Sequence, residues 1–234
     1  DVTHVEMRNG RVVSSDGRKI MIYVHDNFPQ DVKFKIASGI ITPFASAIKA
    51  IVSDSIQLVE GKSYYYAKAG MNEFTCGIRK VERDFPPMED KIKKNAEFAD
   101  EITIDKHVFE AMIKGVALGL STDDVKVDVN ITGEGDNGIL EISATNSIGR
   151  KSFENTQCGR KTDEAISFPL SFKHLLDTLG VFKGDSVVDL SVLRKSNCLM
   201  VRDMTEEREV ITVIPFRTQA MMDQEKKDIE EALG

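Results

Sequence analysis

The pattern of apolar and polar residues predicts β-strands in much of this chain. Residues 125–131 alternate strictly, and a second strand-like run over residues 139–143 follows the glycine-rich segment 133–138. That segment precedes a strand and lacks the Lys-Ser/Thr step of a phosphate-binding loop, so we interpret it as a hairpin turn. Asn9-Gly10 is a hairpin signal of the same kind.

Three segments have the spacing of amphipathic helices: residues 43–52, 104–118 and 170–179. In residues 104–118 the pattern places one set of side chains on the polar face, namely Lys106, Glu110 and Lys114. It places another set on the apolar face, namely Val108, Met112, Ile113 and Val116. All three segments are expected to bury one side against a sheet.

The chain contains an internal repeat at an offset of about 130 residues. Residues 9–20 resemble residues 137–151, and each is followed by an extended segment and a short helix. Asp54-Ser55 and Asp185-Ser186 each precede a predicted strand. Each copy ends with an apolar residue followed by proline, Phe85-Pro86 in the first and Ile214-Pro215 in the second. Each complete copy therefore reads as an α+β unit with two helices on one face of an antiparallel sheet.

The helix predicted over residues 104–118 has no partner in the first copy. At the same offset its counterpart would lie before residue 1, so we expect the first domain to lack its opening helix and the strand before it. The expected organisation is an α+β domain over residues 1–90, a charged connector over 91–101, a second α+β domain over 102–217 and a tail over 218–234.

Composition narrows the classes of protein that this chain can be. With 234 residues, 29% charged residues and a net charge of −7, it has the composition of a soluble globular protein. No apolar run approaches the roughly 20 residues that span a bilayer, and no signal peptide is visible. Three widely spaced cysteines fit a reducing cytosolic compartment. The acidic balance argues against general coating of DNA but allows a local basic surface.

Candidate catalytic chemistry is sparse. The histidines and cysteines do not occur at metal-ligand spacing, and no Ser-His-Asp arrangement can be placed. Asp123-Asp124 reads as turn chemistry rather than a catalytic carboxylate pair. Cys76 and Cys198 lie in strand-like segments, where an inert buried thiol is usual. We predict no catalytic residue, no metal and no cofactor.

Five short motifs in a fixed order resemble the bacterial-type DNA polymerase sliding clamp, the β subunit family of DNA polymerase III. They are residues 14–20, 84–87, 140–146, 175–179 and 213–217. The chain departs from the family at Arg18-Lys19, where His-Arg is usual, at Phe216, where Met is usual, and in the tail after Arg217. The tail and the absence of the first domain's opening helix suggest a divergent member, and both host origin and phage or mobile-element origin stay open.

The resemblance implies a non-catalytic ring that encircles duplex DNA without reading its sequence. Such a ring tethers DNA polymerase, and its polymerase and clamp-loader partners bind through short linear peptides. Six domains close the family's rings, so a two-domain chain needs three copies and a three-domain chain two. The location implied is the cytoplasm, at the nucleoid.

The resemblance also implies that helices line the hole, which makes the lysines on or beside helices candidates for facing DNA. Diffuse, screened positive charge suits a loosely held duplex. The alternative is that these lysines only confer solubility. The DNA-facing candidates are Lys49, Lys106, Lys114, Lys173 and Lys183.

A second implied site is a partner-binding groove between the two domains. An apolar cleft would take the peptide's aliphatic and aromatic anchors. The alternative is that the apolar members are core residues and Arg217 is a surface cation. By position in the family motifs, the groove residues are Ser15, Gly17, Arg18, Lys19, Ile20, Pro86, Val125, Ser171, His174, Leu199, Ile214, Pro215, Phe216 and Arg217.

Two other functions compete with the clamp. A protein-interaction or inhibitor module can keep the clamp fold without forming a ring, because fold alone does not determine function. An enzyme with an unrecognised site is the third possibility, and it predicts a pocket with strongly perturbed titrating groups.

Overall fold

The computed structural model describes twelve stretches of the chain, and every structural statement below concerns these. They are residues 4–50, 55–69, 74–82, 92, 100–118, 126–145, 149, 151–161, 164–182, 187–193, 196–204 and 208–216. Packing divides the chain near residue 88 into two compact units. Each unit combines antiparallel sheet with helix, which confirms the predicted α+β class.

Unit 1 contains one described helix and seven strands. The helix is α1 (Ser38–Lys49). The strands are β1 (His4–Arg8), β2 (Arg11–Ser15), β3 (Ile20–His25), β4 (Phe34–Ala37), β5 (Ile56–Glu60), β6 (Tyr64–Ala69) and β7 (Phe74–Arg79). They form two sheets of order β3-β2-β1-β4 and β5-β6-β7.

Unit 2 contains two described helices and eight strands. The helices are α2 (Lys106–Leu118) and α3 (Phe172–Leu179). The strands are β8 (Asp100–Asp105), β9 (Lys126–Thr132), β10 (Gly135–Thr145), β11 (Lys151–Arg160), β12 (Ile166–Ser171), β13 (Val187–Leu193), β14 (Cys198–Met204) and β15 (Arg208–Pro215). Their order is β12-β9-β10-β11-β8-β13-β14-β15.

The two units differ at the strand that opens the repeat. In unit 2, β8 pairs with β13 over six residue pairs and with β11 at Gly159 and Arg160, so it joins two groups of strands into one sheet. The repeat relates β11 and β13, the neighbours of β8, to β3 and β5 of unit 1. In the described part of unit 1 no strand lies between β3 and β5. Its helix α1 likewise has no fully buried residue, whereas α2 and α3 pack against each other in unit 2.

The core of unit 2 lies between α2 and the sheet. Phe109, Met112, Ile113 and Val116 are buried at helical spacing, and α2 contacts β8, β10 and β11. The predicted apolar face was wrong at one position, because Val108 is 41% exposed and Phe109 points to the core instead.

The core of unit 1 is smaller and more aromatic. The rings of Phe34 and Tyr65 meet edge to face, with centroids 4.6 Å apart, and Ile36 and Ile78 complete the buried cluster. Partly buried side chains of α1 and β1 pack against it. Such an aromatic pair adds about 1 kcal/mol to the burial of its area.

Helix α1 begins earlier than predicted, at Ser38, and Pro43 lies inside it. Proline lacks the N–H that would complete the helical hydrogen bond and is costly inside a helix. Ala37, in extended conformation, is the N-cap residue and offers no side-chain hydrogen bond. The sequence analysis placed the start of this helix at Pro43, because proline is usually found in the first turn of a helix. In the structure Pro43 lies beyond the first turn.

Both predicted hairpin turns are confirmed. Asn9 and Gly10 have φ values of 48° and 70° and connect β1 to β2, as a two-residue hairpin turn requires. Gly133, with a φ value of 78°, follows β9, and Gly135, with a φ value of 55°, is the first residue of β10; both lie between Thr132 and Ile139, which form the first β9–β10 pair at this hairpin. The glycine-rich segment is therefore a hairpin turn, as predicted.

Gly133→Ala and Gly135→Ala form a matched pair that tests this turn. Both place a side chain in the left-handed region, which costs about 1–2 kcal/mol. At Gly133 an added Cβ would also lie 2.4 Å from the carbonyl oxygen of Asn137, whereas at Gly135 it meets nothing within 4 Å. We expect the larger loss of unfolding free energy for Gly133→Ala, measured by urea denaturation. Equal losses would contradict this geometry.

Candidate functional site

Three of the five candidate lysines are exposed on helices. Lys49 lies in the last turn of α1, and Lys173 lies in the first turn of α3. Lys114 is 57% exposed on α2. Lys183 lies outside the described residues. The exposed lysines are therefore available for contact with a polyanion.

Lys114 is paired with Glu110, four residues earlier on the same helix. The hydrogen bond from the Lys114 ammonium lowers the pKa of the Glu110 carboxyl, and the charges of Lys114, Lys106 and His107 lower it further. The carboxylate therefore stays ionised at neutral pH and offsets part of the positive charge that Lys114 presents. An exposed i,i+4 pair contributes only about 0.3–0.5 kcal/mol to stability.

Lys106 was predicted on the exposed face of α2, and the structure corrects this. It is only 7% exposed, and its amino group donates a hydrogen bond to the carbonyl oxygen of Phe182. Lys106 lies three residues before Phe109 and seven before Ile113, so it shares their buried face. Its role is structural, and it drops out of the DNA-facing set.

The first group of predicted groove residues forms the turn between β2 and β3. The Asp16 carboxylate accepts hydrogen bonds from the backbone N–H groups of Arg18 and Lys19, at 2.9 and 2.8 Å. Ser15 Oγ donates to the Lys19 carbonyl oxygen and accepts from the Gly17 N–H. Gly17, at φ 81°, and Arg18 are exposed, whereas Lys19 and Ile20 are half-buried.

A second group lies at the start of α3. Ser171 is the N-cap residue, and its hydroxyl accepts a hydrogen bond from the backbone N–H of His174 at 3.5 Å. The carbonyl of His174 accepts from the Thr178 hydroxyl at 2.7 Å. The side chains of Ser171 and His174 are half-buried, and Pro215 at the end of β15 is exposed. These three have surface available for a partner.

The structure places the large apolar groove candidates in the core of unit 2. Leu199 and Ile214 are 1% and 0% exposed. Phe216 is 7% exposed, and its ring stacks on Phe168 with centroids 4.5 Å apart. Its backbone N–H donates to the carbonyl of Asn197 at 2.8 Å. Substituting any of these three would change the core.

The remaining predicted residues lie outside the described part of the chain: Pro86, Val125, Arg217 and the Asp123-Asp124 pair. Of the thiols, Cys76 and Cys198 lie on strands, as predicted. Burial raises the pKa of Cys198, whose thiol donates to the carbonyl of Ser196 at 3.2 Å. Among the described residues no three His, Cys, Asp or Glu side chains cluster as metal ligands would.

Lys106→Met and Lys114→Met test the different roles of these two lysines. The first removes the buried hydrogen bond to Phe182 and leaves that carbonyl unsatisfied, which costs about 1–3 kcal/mol. The second removes only an exposed ion pair and should be close to neutral. Both can be measured by chemical denaturation. A neutral Lys106→Met together with a destabilising Lys114→Met would reverse the assignment.

Within the described residues, no helix is long and apolar enough to cross a bilayer. By sequence, the chain matches no protein-family profile and no curated protein. Comparison with solved structures is more informative and shows that the fold is that of the DNA polymerase sliding clamp.

The similar structures are β subunits of bacterial DNA polymerase III. The subunit from Pseudomonas aeruginosa matches 92% of this chain at TM-score 0.74 and 18% identity. A P. aeruginosa clamp bound to griselimycin matches 93% at 0.73 and 19%, and the Caulobacter crescentus subunit matches 92% at 0.72 and 15%. This chain covers only 58%, 59% and 58% of the chains in those three structures. The resemblance found in the sequence motifs is thus confirmed at the level of fold.

Proposed function

We propose that this chain is a subunit of a DNA sliding clamp and has no catalytic activity of its own. The observation that carries the proposal is the match of 92% of the chain to DNA polymerase III β subunits. A ring of such subunits would encircle duplex DNA and hold a polymerase on it, in the cytoplasm at the nucleoid. Because the link is topological, it raises the local concentration of polymerase at the template without reading bases.

The charge distribution supports the DNA contact. The chain carries a net charge of −7, yet Lys49, Lys114 and Lys173 are exposed on its helices. Mobile lysine side chains attract phosphates mainly through counterion release, which is strong at low salt and independent of sequence. Such contacts let a protein slide, as a clamp must.

Retention on circular DNA tests this function. Wild-type protein, loaded on a nicked circle, should remain bound after a salt wash and leave once the circle is linearised, because only then can a ring slide off an end. Lys114→Glu with Lys173→Glu should weaken the initial DNA contact, whereas Lys33→Glu with Lys62→Glu provides the same charge change at exposed positions away from the helices and from the β7 and β11 edges. Retention that does not depend on circularity would rule out the clamp.

Ring closure needs strand edges that can pair between copies. In the described residues β7 has one strand neighbour, β6. Strand β11 pairs with β8 only at Gly159 and Arg160, so its stretch over residues 151–157 has β10 as its one neighbour. The β11 edge also exposes Phe153, at 58%. We infer that the β7 edge of one copy pairs with the β11 edge of the next.

Phe153→Asp tests this interface. A charge on the β11 edge should oppose strand pairing, so the solution mass measured by light scattering should fall towards that of the monomer. Ile139→Asp is the matched control, because Ile139 is 46% exposed on the neighbouring strand β10, which already has partners on both sides. Equal effects of the two substitutions, or no effect of either, would contradict the β11 interface.

Partner peptides remain part of the proposal. Leu199, Ile214 and Phe216 are core residues, whereas the other described groove candidates have exposed or half-buried surface. These are Ser15, Gly17, Arg18, Lys19, Ile20, Ser171, His174 and Pro215. Peptide binding by polymerase and clamp loader is therefore expected to depend on the residues with available surface. The apolar core residues are expected to act only through the fold of unit 2.

A clamp-fold interaction or inhibitor module that forms no ring is the second candidate. One observation favours it: in unit 1 the described residues include one helix without a fully buried residue and two separate sheets. This module would be monomeric at all concentrations and indifferent to DNA topology. The circular-DNA experiment above distinguishes it from the clamp.

A further inference from the structure

Strand β6, the middle strand of the sheet β5-β6-β7 in unit 1, has one side towards the core and one towards solvent. Tyr65, Ala67 and Ala69 of β6 are buried, whereas the alternate residues Tyr64 and Tyr66 are 43% and 42% exposed. Cross-strand register places Arg79 opposite Tyr64, and Gly77 and Val59 on either side of Tyr66. We call this outward surface the tyrosine face: Val59, Tyr64, Tyr66, Lys68, Gly77 and Arg79.

One glycine makes room for an aromatic ring on this face. A Cβ at Gly61 would lie 2.8 Å from the Tyr66 ring, so a larger residue there would displace the ring. A Cβ at Gly77 would lie 3.7 Å from the same ring and 3.9 Å from that of Tyr64, which is ordinary van der Waals contact. The ring centroids are 6.4 Å apart, with planes tilted by 36°. The result is an exposed pair of aromatic rings side by side.

The charge on the tyrosine face is opposite to that of the chain. Lys68 and Arg79 flank the rings, and none of the outward positions of β5, β6 or β7 that the structure describes is acidic. Glu60 lies in register with the buried Tyr65, on the other face, and its carboxylate pairs with Lys80 at 2.6 Å. In a chain of net charge −7, this is a basic aromatic surface without a carboxylate of its own.

We propose that the tyrosine face binds single-stranded nucleic acid. Exposed aromatic rings on a sheet stack on unpaired bases, and neighbouring cations hold the phosphates. A duplex offers no free base face to such rings. An acidic peptide would contact only the cations, and a proline-rich peptide would contact only the aromatic rings. A single-stranded nucleic acid contacts the rings through its bases and the cations through its phosphates. The surface is separate from the helix lysines and from the β11 edge, and it shares Gly77 and Arg79 with strand β7.

Fluorescence anisotropy with fluorescein-labelled dT15 tests this proposal. Wild-type protein should bind dT15 more tightly than a duplex of the same length. Tyr64→Ala with Tyr66→Ala should weaken binding roughly tenfold or more, because base stacking is lost. Tyr64→Phe with Tyr66→Phe keeps the rings and should leave affinity within about twofold. Thermal unfolding of each variant checks that the sheet stays folded.

Salt dependence tests the role of the cations. Lys68→Gln with Arg79→Gln removes two phosphate contacts and should reduce the slope of log affinity against log salt by about 1.4. Lys33→Gln with Lys151→Gln removes the same charge elsewhere and should leave the slope unchanged.

The proposal would be overturned if wild-type protein did not bind dT15, or if Tyr64→Ala with Tyr66→Ala left the affinity for dT15 unchanged. It would also be overturned if a proline-rich peptide, and not dT15, bound through the tyrosines. Retention on circular DNA should not change in the tyrosine variants, so this test and that of the clamp fail independently.

Discussion

Burial of one side of α2 and α3 against the sheet is the interaction on which unit 2 depends. Phe109, Ile113, Leu175 and Leu179 are each at most 1% exposed, and burying such a side chain contributes about 1.5–3 kcal/mol. Since these helices use one side for the core, their other positions must face outward. The exposed positions of Lys114 and Lys173, two of the lysines on which the proposed DNA contact rests, are a consequence of that packing.

In the sheets, the alternation of side chains along each strand likewise determines which residues are exposed. Each strand gives one set of side chains to the core and the other to solvent, so Tyr65 is buried while Tyr64 and Tyr66 are exposed. Unit 2 has β8 to join its two groups of strands, and the described part of unit 1 has no strand in that position. The repeat therefore produces two units with similar parts but different completeness in the described residues.

Sequence reasoning predicted the features that depend on local patterns. The turn at Asn9-Gly10, the alternation in β9 and the helix α2 follow from residue types and spacing alone. Sequence reasoning failed where a side chain can reasonably lie either in the core or at the surface. The side chain of Lys106 is long enough to lie on the buried face while its amino group donates a hydrogen bond to the carbonyl oxygen of Phe182. The prediction that a charged residue faces solvent was therefore wrong at this position.

The candidate site was harder to predict than the fold, for the same reason. Ile214 and Leu199 fit a groove or a core equally well by composition, and only their burial assigns them to the core. Three consecutive tyrosines at Tyr64, Tyr65 and Tyr66 give no sign of which one faces inward. The role of Asp16 in closing its turn was visible in principle, because an Asp two residues before an exposed backbone N–H is a common turn signal.

The proposed ring is the central claim, and direct imaging tests it best. Single-particle electron microscopy of the wild-type protein at high concentration should show closed rings with a central opening, each built from six clamp-fold units. Particles that are only monomers or open chains, at every concentration tried, would contradict the clamp and favour the module that forms no ring.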